Sequence, residues 1–436
     1  MKRQTRRRRF QFDSTDSSRV NHYVFRYPAK FHPPVARALV REFSALGDTV
    51  LDPFCGSGTL SVEALLAGRN AVALDVDPVA VFVTQMKCKR WQICRLTKST
   101  NTLLSMADEL ERSSSEYRRR RFQDLPRSRF RAALSAERLW VPDIPNIEHW
   151  FRRYVLLDLA RLLNAISSAP IGPTARSFLH LCFAATIRAS SNADPVPVSG
   201  LEVTSHMLAK DADGRTINPF AIFRRHVTAS LKGMTAFSDA CPSNVVSQVA
   251  QRDAATTDHY PYPMADVAIT SPPYNGAVDY YRRHTLEMYW LGFTETREQR
   301  LGLLDRYIGR PSVPMRHKFV TSPSYTPLIH QWESTMRSHS EARANAFLHY
   351  CTAMRRVFAG LYAAIRPGGR AIFVVGRSNW NGRSLPTDRL MHELAGDQYD
   401  LEDVAWYPIK NRYMSYSRHN NANINREYVL IYRRIS

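Results

Sequence analysis

The stretch Val50-Leu-Asp-Pro-Phe-Cys-Gly-Ser-Gly-Thr59 decides the fold of this chain of 436 residues. It begins with apolar and β-branched residues, which favour a buried strand, and Asp52 stands where that strand ends. Gly56 and Gly58 permit a tight turn and the close approach of a ligand to the backbone. Residues 60–66 are typical of a helix, whose first free N–H groups would face that ligand. A strand, a glycine turn and a helix in this order predict an α/β fold with a ligand site at the strand end.

A second motif, Ile269-Thr-Ser-Pro-Pro-Tyr274, repeats this arrangement much later in the chain. The apolar residues 265–270 predict another strand, and two stiffening prolines follow Ser271 at its end. Tyr274 then presents an aromatic ring. A glycine turn alone is common in α/β domains, but a glycine turn paired with this second motif is far more specific.

Together, the patterns Asp-Pro-Phe-x-Gly-x-Gly-Thr at 52–59 and Ser-Pro-Pro-Tyr at 271–274 make the chain resemble the S-adenosylmethionine-dependent amino-methyltransferases of DNA. The resemblance implies the class I methyltransferase (Rossmann-like) fold, an α/β structure with a seven-stranded, mostly parallel sheet. Strand patterns near residues 50, 72, 247, 267, 373, 404 and 430 agree with that count. Between the second and third of these strands the alternation of strands and helices stops, which predicts a large helical insertion.

The resemblance also implies that the chain binds S-adenosylmethionine as its cofactor, with the glycine turn on its methionine portion. The second strand ends at Asp75, about 20 residues past the first, a spacing that suits an acid bonded to ribose hydroxyls. Asp77 is expected to cap the helix that starts at Pro78. The resemblance also implies that an aromatic segment before the glycine turn lies near the methionine end of the cofactor. It further implies that an acid after the third strand binds the adenine amino group. The predicted cofactor-binding residues are Lys30, Phe31, Asp52, Pro53, Phe54, Gly56, Gly58, Thr59, Asp75 and Asp253.

Methyl transfer to an exocyclic amine needs alignment more than covalent help, because the sulfonium of the cofactor is already a strong electrophile. The Ser271 hydroxyl and the Pro272 carbonyl can accept hydrogen bonds from the amine, Tyr274 can stack on the base, and Pro273 helps to keep this catalytic geometry stiff. A base inside a duplex cannot reach such a pocket, so we expect it to be flipped out. In the resembled family, Ser in the first position is commoner in enzymes acting on cytosine N4, whereas Asp or Asn is usual for adenine N6.

The chain is strongly basic, with 60 Lys and Arg residues against 39 Asp and Glu residues and a formal net charge of +21. Such an excess favours a polyanionic partner, since Lys and Arg neutralise phosphates and release counterions. The expected partner is double-stranded DNA. Two basic clusters are candidates to contact its backbone, although each also fits a solvated helix face. The predicted nucleic-acid-binding residues are Arg118, Arg119, Arg120, Arg282, Arg283 and His284.

The order of these features predicts four segments. They are a basic disordered arm (1–20), the first part of the methyltransferase domain with the cofactor site (21–95), the helical insertion (96–240) and the second part of that domain with the catalytic site (241–436). The insertion is a candidate for target recognition, with a structural cover over the sheet as the alternative. The polar and basic residues 295–345 form a second candidate recognition loop.

Several classes of protein are excluded by composition. There is no run of about 18 apolar residues, so we expect no membrane span and no membrane partner. The basic N-terminus lacks an apolar segment of the secretory type, which favours a cytoplasmic location. None of the six cysteines forms a Cys-x-x-Cys pair, so neither a structural metal nor a disulfide framework is expected.

The leading hypothesis is a site-specific DNA methyltransferase that acts on N4 of a flipped-out cytosine in a restriction–modification or related defence system. A cognate restriction endonuclease would then be a partner. Two other classes stay open: an amino-methyltransferase of another base, either adenine N6 in DNA or a base in RNA, and a non-catalytic scaffold that binds nucleic acid. The scaffold is disfavoured, because a scaffold need not retain both the cofactor motif and the catalytic motif.

Overall fold

The computed structural model of the protein describes residues 8–13, 20–113, 116–119, 123–195, 200–256, 264–276, 279–313, 325–409 and 425–435. The strands are β1 (Arg8–Arg9), β2 (Thr49–Asp52), β3 (Asn70–Asp75), β4 (Ser247–Gln251), β5 (Ala265–Thr270), β6 (Ile365–Gly376), β7 (Ser378–Trp380), β8 (Arg383–Leu385), β9 (Tyr399–Pro408) and β10 (Arg426–Arg434).

The helices before β4 are α1 (Pro33–Phe43), α2 (Thr59–Leu66), α3 (Pro78–Lys87), α4 (Ile93–Ser113), α5 (Glu116–Arg119), α6 (Arg127–Ala136), α7 (Ile147–Trp150), α8 (Arg153–Ser168), α9 (Pro173–Ala189), α10 (Ser205–Ala212) and α11 (Pro219–Ala240). Those after β5 are α12 (Tyr280–Arg283), α13 (Thr285–Trp290), α14 (Arg297–Leu304), α15 (Pro327–Arg337), α16 (Glu341–Ala364) and α17 (Thr387–Ala395), with a 3₁₀ turn at Gly396–Gln398. Within the described ranges, no helix combines the length and the apolarity that crossing a lipid bilayer requires.

The main sheet has the strand order β1-β9-β10-β6-β5-β2-β3-β4. Its pairs are parallel except at β10, which runs antiparallel to both β6 and β9. All seven predicted strands are present, and the mostly parallel α/β fold is confirmed. The short strands β7 and β8 pair with each other outside this sheet.

The predicted strand count was wrong by one, because Arg8 and Arg9 add an eighth strand at the sheet edge, parallel to β9. The same contact corrects the prediction of a disordered arm over residues 8–13. Phe10 is buried, and its N–H donates to the carbonyl of Trp406 at 2.8 Å. Arg8 also pairs with Asp403 and with Glu42. The rest of the arm, residues 1–7 and 14–19, lies outside the described residues.

Three apolar clusters hold the protein together. One lies under α1 and α2 and includes Leu39 and Leu60, and a second lies under α16 and α17 and includes Phe358 and Leu390. The third fills the helical insertion, in which the described residues of α4 to α11 follow one another without a strand. The large helical insertion is therefore confirmed. Its core also receives Trp290 of α13, so the insertion packs onto the segment that follows the catalytic motif.

The path of the chain through the sheet places the two motifs side by side. From β2 the chain adds β3 and β4 on one side, and it then returns to β5 on the other side of β2. The strands β2 and β5 are parallel neighbours, with Val50 opposite Val267. The loops at their carboxyl ends therefore leave the sheet together, at the switch point where open α/β sheets bind ligands.

Candidate active site

The glycine turn depends on backbone conformations that other residues rarely adopt. Gly56 has φ 49° and Gly58 has φ 69°, both in the left-handed region. A Cβ atom at Gly58 would lie 2.8 Å from Thr84 Oγ1, and that hydroxyl donates to the Gly56 carbonyl at 3.0 Å. Helix α3 thus packs directly against the turn at Gly58, and its residue Thr84 supports the turn.

Buried polar side chains also fix the turn from the protein interior. Lys87, which is fully buried, donates to the carbonyl of Ser57. Burial lowers the pKa of Lys87 to about 8. The side chain of Asn21 in turn donates to the Lys87 carbonyl at 2.7 Å. The position of the turn is therefore set by the fold before any ligand binds.

Asp75 at the end of β3 faces the turn. One carboxylate oxygen accepts from the N–H of Gly56 at 2.9 Å, and the other accepts from the N–H of Asp77 at 3.0 Å. Burial and the neighbouring Asp77 charge raise the pKa of Asp75 to about 7. Each carboxylate oxygen keeps a second lone pair, which can accept from a hydroxyl group. A ligand diol at this point would stabilise the charged form.

Asp77 has a separate, structural function. One of its oxygens caps α3 by accepting from the N–H of Val79 at 2.8 Å, as the sequence predicted. The other lies 2.6 Å from Nδ1 of His284, and both side chains are almost fully buried. This pair connects the end of β3 to the segment after the catalytic motif.

A cleft of about 790 Å³, measured with its opening, lies over the turn. Every predicted cofactor-binding residue except Gly58 lines it, together with Ser271 and Pro273 of the catalytic motif. The structure therefore brings the two motifs to one cleft.

The residues of this cleft fit a nucleoside carrying an amino-acid tail. Among the described residues, the buried hydroxyls of Ser57 and Thr59 have no hydrogen-bond partner, so they are available to a polar ligand. Asp75 offers acceptors for ribose hydroxyls, and Phe54 and Ile308 offer apolar contact. Lys30 differs, since its ammonium already donates a hydrogen bond to the carbonyl of His22 within the protein.

A second cavity, of about 1,460 Å³ with its opening, lies beside the first. Both are lined by Lys30, Phe31 and Ser271, so Ser271 stands where the two meet. Tyr407 and Glu427 also line the second cavity. Two adjoining cavities that share Ser271 are compatible with a transfer between two substrates.

Several residues around these cavities were missed in the sequence. Tyr27 and Tyr280 line the first cavity, with ring centroids 5.8 Å apart, and each stands close to a motif that the sequence did single out. Tyr307 and Ile308 also line it, and Glu427 lines the second. No local pattern marks these last three residues, because they reach the site only through the fold.

The candidate recognition loop at 295–345 is more regular than predicted where the structure describes it. It contains α14 and α15, and residues 314–324 lie outside the described ranges. Between these helices the carbonyl of Gly309 accepts from the N–H of Gly276 at 3.0 Å. The segment thus packs against the catalytic loop and contributes Tyr307 and Ile308 to the first cavity.

The prediction that Arg118 contacts nucleic acid was wrong. Its side chain is 6% exposed, and its Nε donates to Asp158 at 2.7 Å inside the helical insertion. A buried guanidinium with a carboxylate partner holds α5 to α8 instead of facing solvent. The side chain of Arg119 and the whole of Arg120 lie outside the described residues.

The second predicted basic cluster is divided by the fold. Arg283 and His284 are each 1% exposed, so the prediction that they contact nucleic acid was wrong. Arg283 donates to the carbonyl of Pro195 at 3.3 Å, and His284 is paired with Asp77. Arg282 alone of the three is exposed. A helical turn points adjacent side chains in different directions, which sequence spacing over three residues did not reveal.

Comparison with known proteins agrees with this geometry. The family described as DNA methylase, of the N6 and N4 type, matches residues 2–85. The chain is 21% identical over 403 residues to the Type II methyltransferase M.MvaI of Kocuria varians, which covers 88% of this chain and 82% of that protein. It is 22% identical over 434 residues to the Type II methyltransferase M.BsoBI of Geobacillus stearothermophilus, which covers 89% of this chain and 79% of that one.

The match to the DNA methylase family and the two long relatives point to the same class of enzyme as the paired motifs do. The methyl donor is S-adenosylmethionine. These similarities and the paired motifs support an S-adenosylmethionine-dependent DNA amino-methyltransferase of the N4 or N6 type.

Proposed function

We propose that this protein methylates N4 of a cytosine that is flipped out of a specific sequence in double-stranded DNA. The observation that carries the proposal is the position of Ser271, the first residue of the catalytic motif, at the junction of the two cavities. In this family, Ser at that position is commoner in enzymes of cytosine N4, whereas Asp or Asn is usual for adenine N6.

The catalytic residues act by orientation. Bound S-adenosylmethionine supplies an electrophilic methyl group. The Ser271 hydroxyl and the Pro272 carbonyl accept hydrogen bonds from the amine hydrogens, which turns the nitrogen lone pair toward the first cavity. Tyr274 stacks on the base, and Pro273 limits the motion of the loop. Such alignment can supply about 7–11 kcal/mol of the barrier when the reacting atoms are held in a near-attack geometry.

The cofactor is held at three points. The hydroxyls of Ser57 and Thr59 in and beside the glycine turn bind its methionine end. Asp75 accepts from the ribose hydroxyls, and Asp253 accepts from the adenine amino group. The support for this arrangement is that all of these side chains line one cleft and that the buried hydroxyls otherwise lack partners among the described residues.

The biological setting follows from the long relatives, both named Type II methyltransferases. We infer that the protein is the modification enzyme of a restriction–modification system in the cytoplasm, with a cognate endonuclease as partner. The helical insertion is the proposed reader of the target sequence. One contact supports this role, since Arg282 after the catalytic motif donates to the carbonyl of Leu201 of the insertion at 3.3 Å.

Nucleoside analysis tests the proposed reaction. DNA and RNA from cells expressing the intact protein, Ser271→Ala or the control Ser167→Ala are separately digested to nucleosides and examined by mass spectrometry. Ser167 is exposed on α8, so its replacement controls for the loss of a serine hydroxyl away from the site. We expect N4-methylcytosine with the intact protein and the control, and none with Ser271→Ala. N6-methyladenine would instead identify adenine as the substrate. A mark in RNA alone would overturn the assignment to DNA.

A further inference from the structure

The carboxylate of Glu427 connects the catalytic loop to the lining of the second cavity. The Tyr274 hydroxyl donates to Glu427 Oε1 at 2.7 Å. The Tyr407 hydroxyl donates to the other oxygen, Oε2, of the same carboxylate. Glu427 thus accepts a hydrogen bond from a tyrosine on each side.

The register of the sheet produces this arrangement. Glu427 of β10 is directly opposite Tyr407 of β9, and residues opposite each other in an antiparallel pair share a face. On the other side, Glu427 is opposite Gly376 of β6. Glycine has no side chain, so β6 places none at that register position. Tyr274, which follows the next strand, β5, can therefore reach Glu427 across β6.

The two tyrosines remain hydrogen-bond donors at neutral pH. Burial, reinforced by the charge of Glu427, raises the pKa of Tyr274 and the pKa of Tyr407 well above the usual value. Tyr407 is buried, and Tyr274 and Glu427 are half-buried. A hydrogen bond to an ionised acceptor in such surroundings is about twice as strong as one between neutral groups.

We propose that Glu427 is a positioning residue that fixes the Tyr274 ring of the catalytic loop, next to the cavity that receives the target base. This inference rests on the proposed function, because it takes the second cavity to be the site of the flipped base. Glu427 and Tyr407 line that cavity together with Ser271, whereas neither lines the cofactor cleft. Glu427 therefore lies on the base side of Ser271, and its replacement should leave the cofactor cleft untouched.

The test compares Glu427→Gln with the intact protein on duplex DNA. Glutamine keeps the size of the side chain, but its amide NH₂ cannot accept a hydrogen bond, so one tyrosine hydroxyl loses its acceptor. Displacement of a reacting group by about 1 Å can lower the rate about 100-fold. We expect kcat to fall by at least about tenfold, with the Kd for S-adenosylmethionine in calorimetry within about twofold of the intact protein.

Two further variants separate positioning from general stability. Glu402→Gln makes the same chemical change on β9, where Glu402 pairs with Arg370 at the surface, and should leave kcat within about twofold. Tyr274→Phe removes the hydroxyl through which Glu427 acts. In that background Glu427→Gln should lower kcat little further, whereas independent effects would multiply. The thermal unfolding midpoint of each variant is measured alongside.

The outcomes for the two proposals can be told apart. If Glu427→Gln and Glu402→Gln have equal rates, or if the effects of Glu427→Gln and Tyr274→Phe multiply, the positioning inference is overturned and the methyltransferase proposal stands. If the intact protein forms N6-methyladenine, the proposed base is wrong. The kcat of Glu427→Gln relative to Glu402→Gln then still tests the function of Glu427. An intact protein that methylates no nucleic acid would overturn both.

Discussion

Thr270 Oγ1 donates a hydrogen bond of 2.7 Å to Asp52 Oδ1, and both side chains are buried. These are the last residues of β5 and β2; Asp52 begins the pattern at 52–59, and Thr270 directly precedes the Ser-Pro-Pro-Tyr pattern at 271–274. The other bond of the Asp52 carboxylate comes from the N–H of Phe54, within the glycine turn. The starting points of the cofactor loop and the catalytic loop are therefore joined by one buried interaction.

Replacement of Thr270 by Val tests this connection, since Val keeps the shape and removes the hydroxyl. The free energy of unfolding should fall by about 1–3 kcal/mol, the usual cost of leaving a buried hydrogen-bonding group without its partner. Chemical denaturation measures this change. A stability within about 0.5 kcal/mol of the intact protein would contradict the importance of the bond.

The affinity for S-adenosylmethionine should depend on pH through Asp75. Bound ribose hydroxyls donate to the charged carboxylate, so binding favours the deprotonated form. Because the pKa of Asp75 in the free protein is raised to about 7, the affinity should increase as pH rises toward 7 and level off above it. Below pH 7 we expect the Kd to increase by up to about tenfold per pH unit, which calorimetry between pH 5.5 and pH 8.5 can measure.

The matched variant for that experiment is Asp75→Asn, which keeps the shape and cannot titrate. It should weaken binding by at least about tenfold at pH 8 and flatten the pH dependence. The raised pKa also makes the stability of the protein depend on pH, because Asp75 in the folded state holds its proton up to a higher pH than in the unfolded state. Its contribution to the free energy of unfolding is fully present below about pH 4 and is lost as pH rises through about 7. An unchanged pH profile in Asp75→Asn would count against the ribose assignment.

Gly309 should be needed to position the catalytic loop. It has φ 81°, and a Cβ atom there would lie 2.9 Å from the carbonyl oxygen of Tyr274. Gly309→Ala must therefore shift either the backbone of the catalytic motif or its own segment. We expect kcat to fall by at least about tenfold in single-turnover assays, because small displacements of reacting groups have large effects on rate.

The control for that variant is Gly302→Ala in α14. A Cβ atom there meets no other atom within 4 Å, and the residue has ordinary helical geometry. Alanine should leave kcat unchanged and stabilise the fold by about 0.5–1 kcal/mol. Equal loss of rate in the two variants would show that Gly309 has no special connection with the catalytic loop.

Arg282 and Arg283 are adjacent in sequence, and their replacement should have different effects. Arg282 is exposed, so Arg282→Ala should weaken DNA binding and reduce the slope of log affinity against log salt by about 1. Arg283 is buried and holds the Pro195 carbonyl, so Arg283→Met should chiefly change stability. Fluorescence anisotropy over a range of salt concentrations, with thermal unfolding of both variants, distinguishes the two. An unchanged salt slope in Arg282→Ala would remove Arg282 from the DNA contact surface.

The local elements of this protein could be read from the sequence, since their causes lie within a few neighbouring residues. Gly56 and Gly58 adopt the left-handed conformations that a tight turn requires, and Asp77 caps the helix that Pro78 begins. The apolar runs that predicted strands all form strands, because burial of such runs in a sheet is favourable wherever they pair. The eighth strand was missed because Arg8 and Arg9 have no apolar pattern, and the buried residue beside them, Phe10, is a single aromatic.

The tertiary structure decided which of these elements meet. Tyr274 and Glu427 are separated by 153 positions in the chain, and only the strand order brings them within 2.7 Å. The same holds for Tyr307 at the cofactor cleft and for the burial of Arg118 and Arg283, whose sequence neighbours are basic and suggested a surface. Sequence by itself determined the turn, the caps and the two motifs, because backbone conformation is a local property. Side-chain burial and long-range hydrogen bonds depend on how distant segments pack, and so the shape of the site was decided by the fold alone.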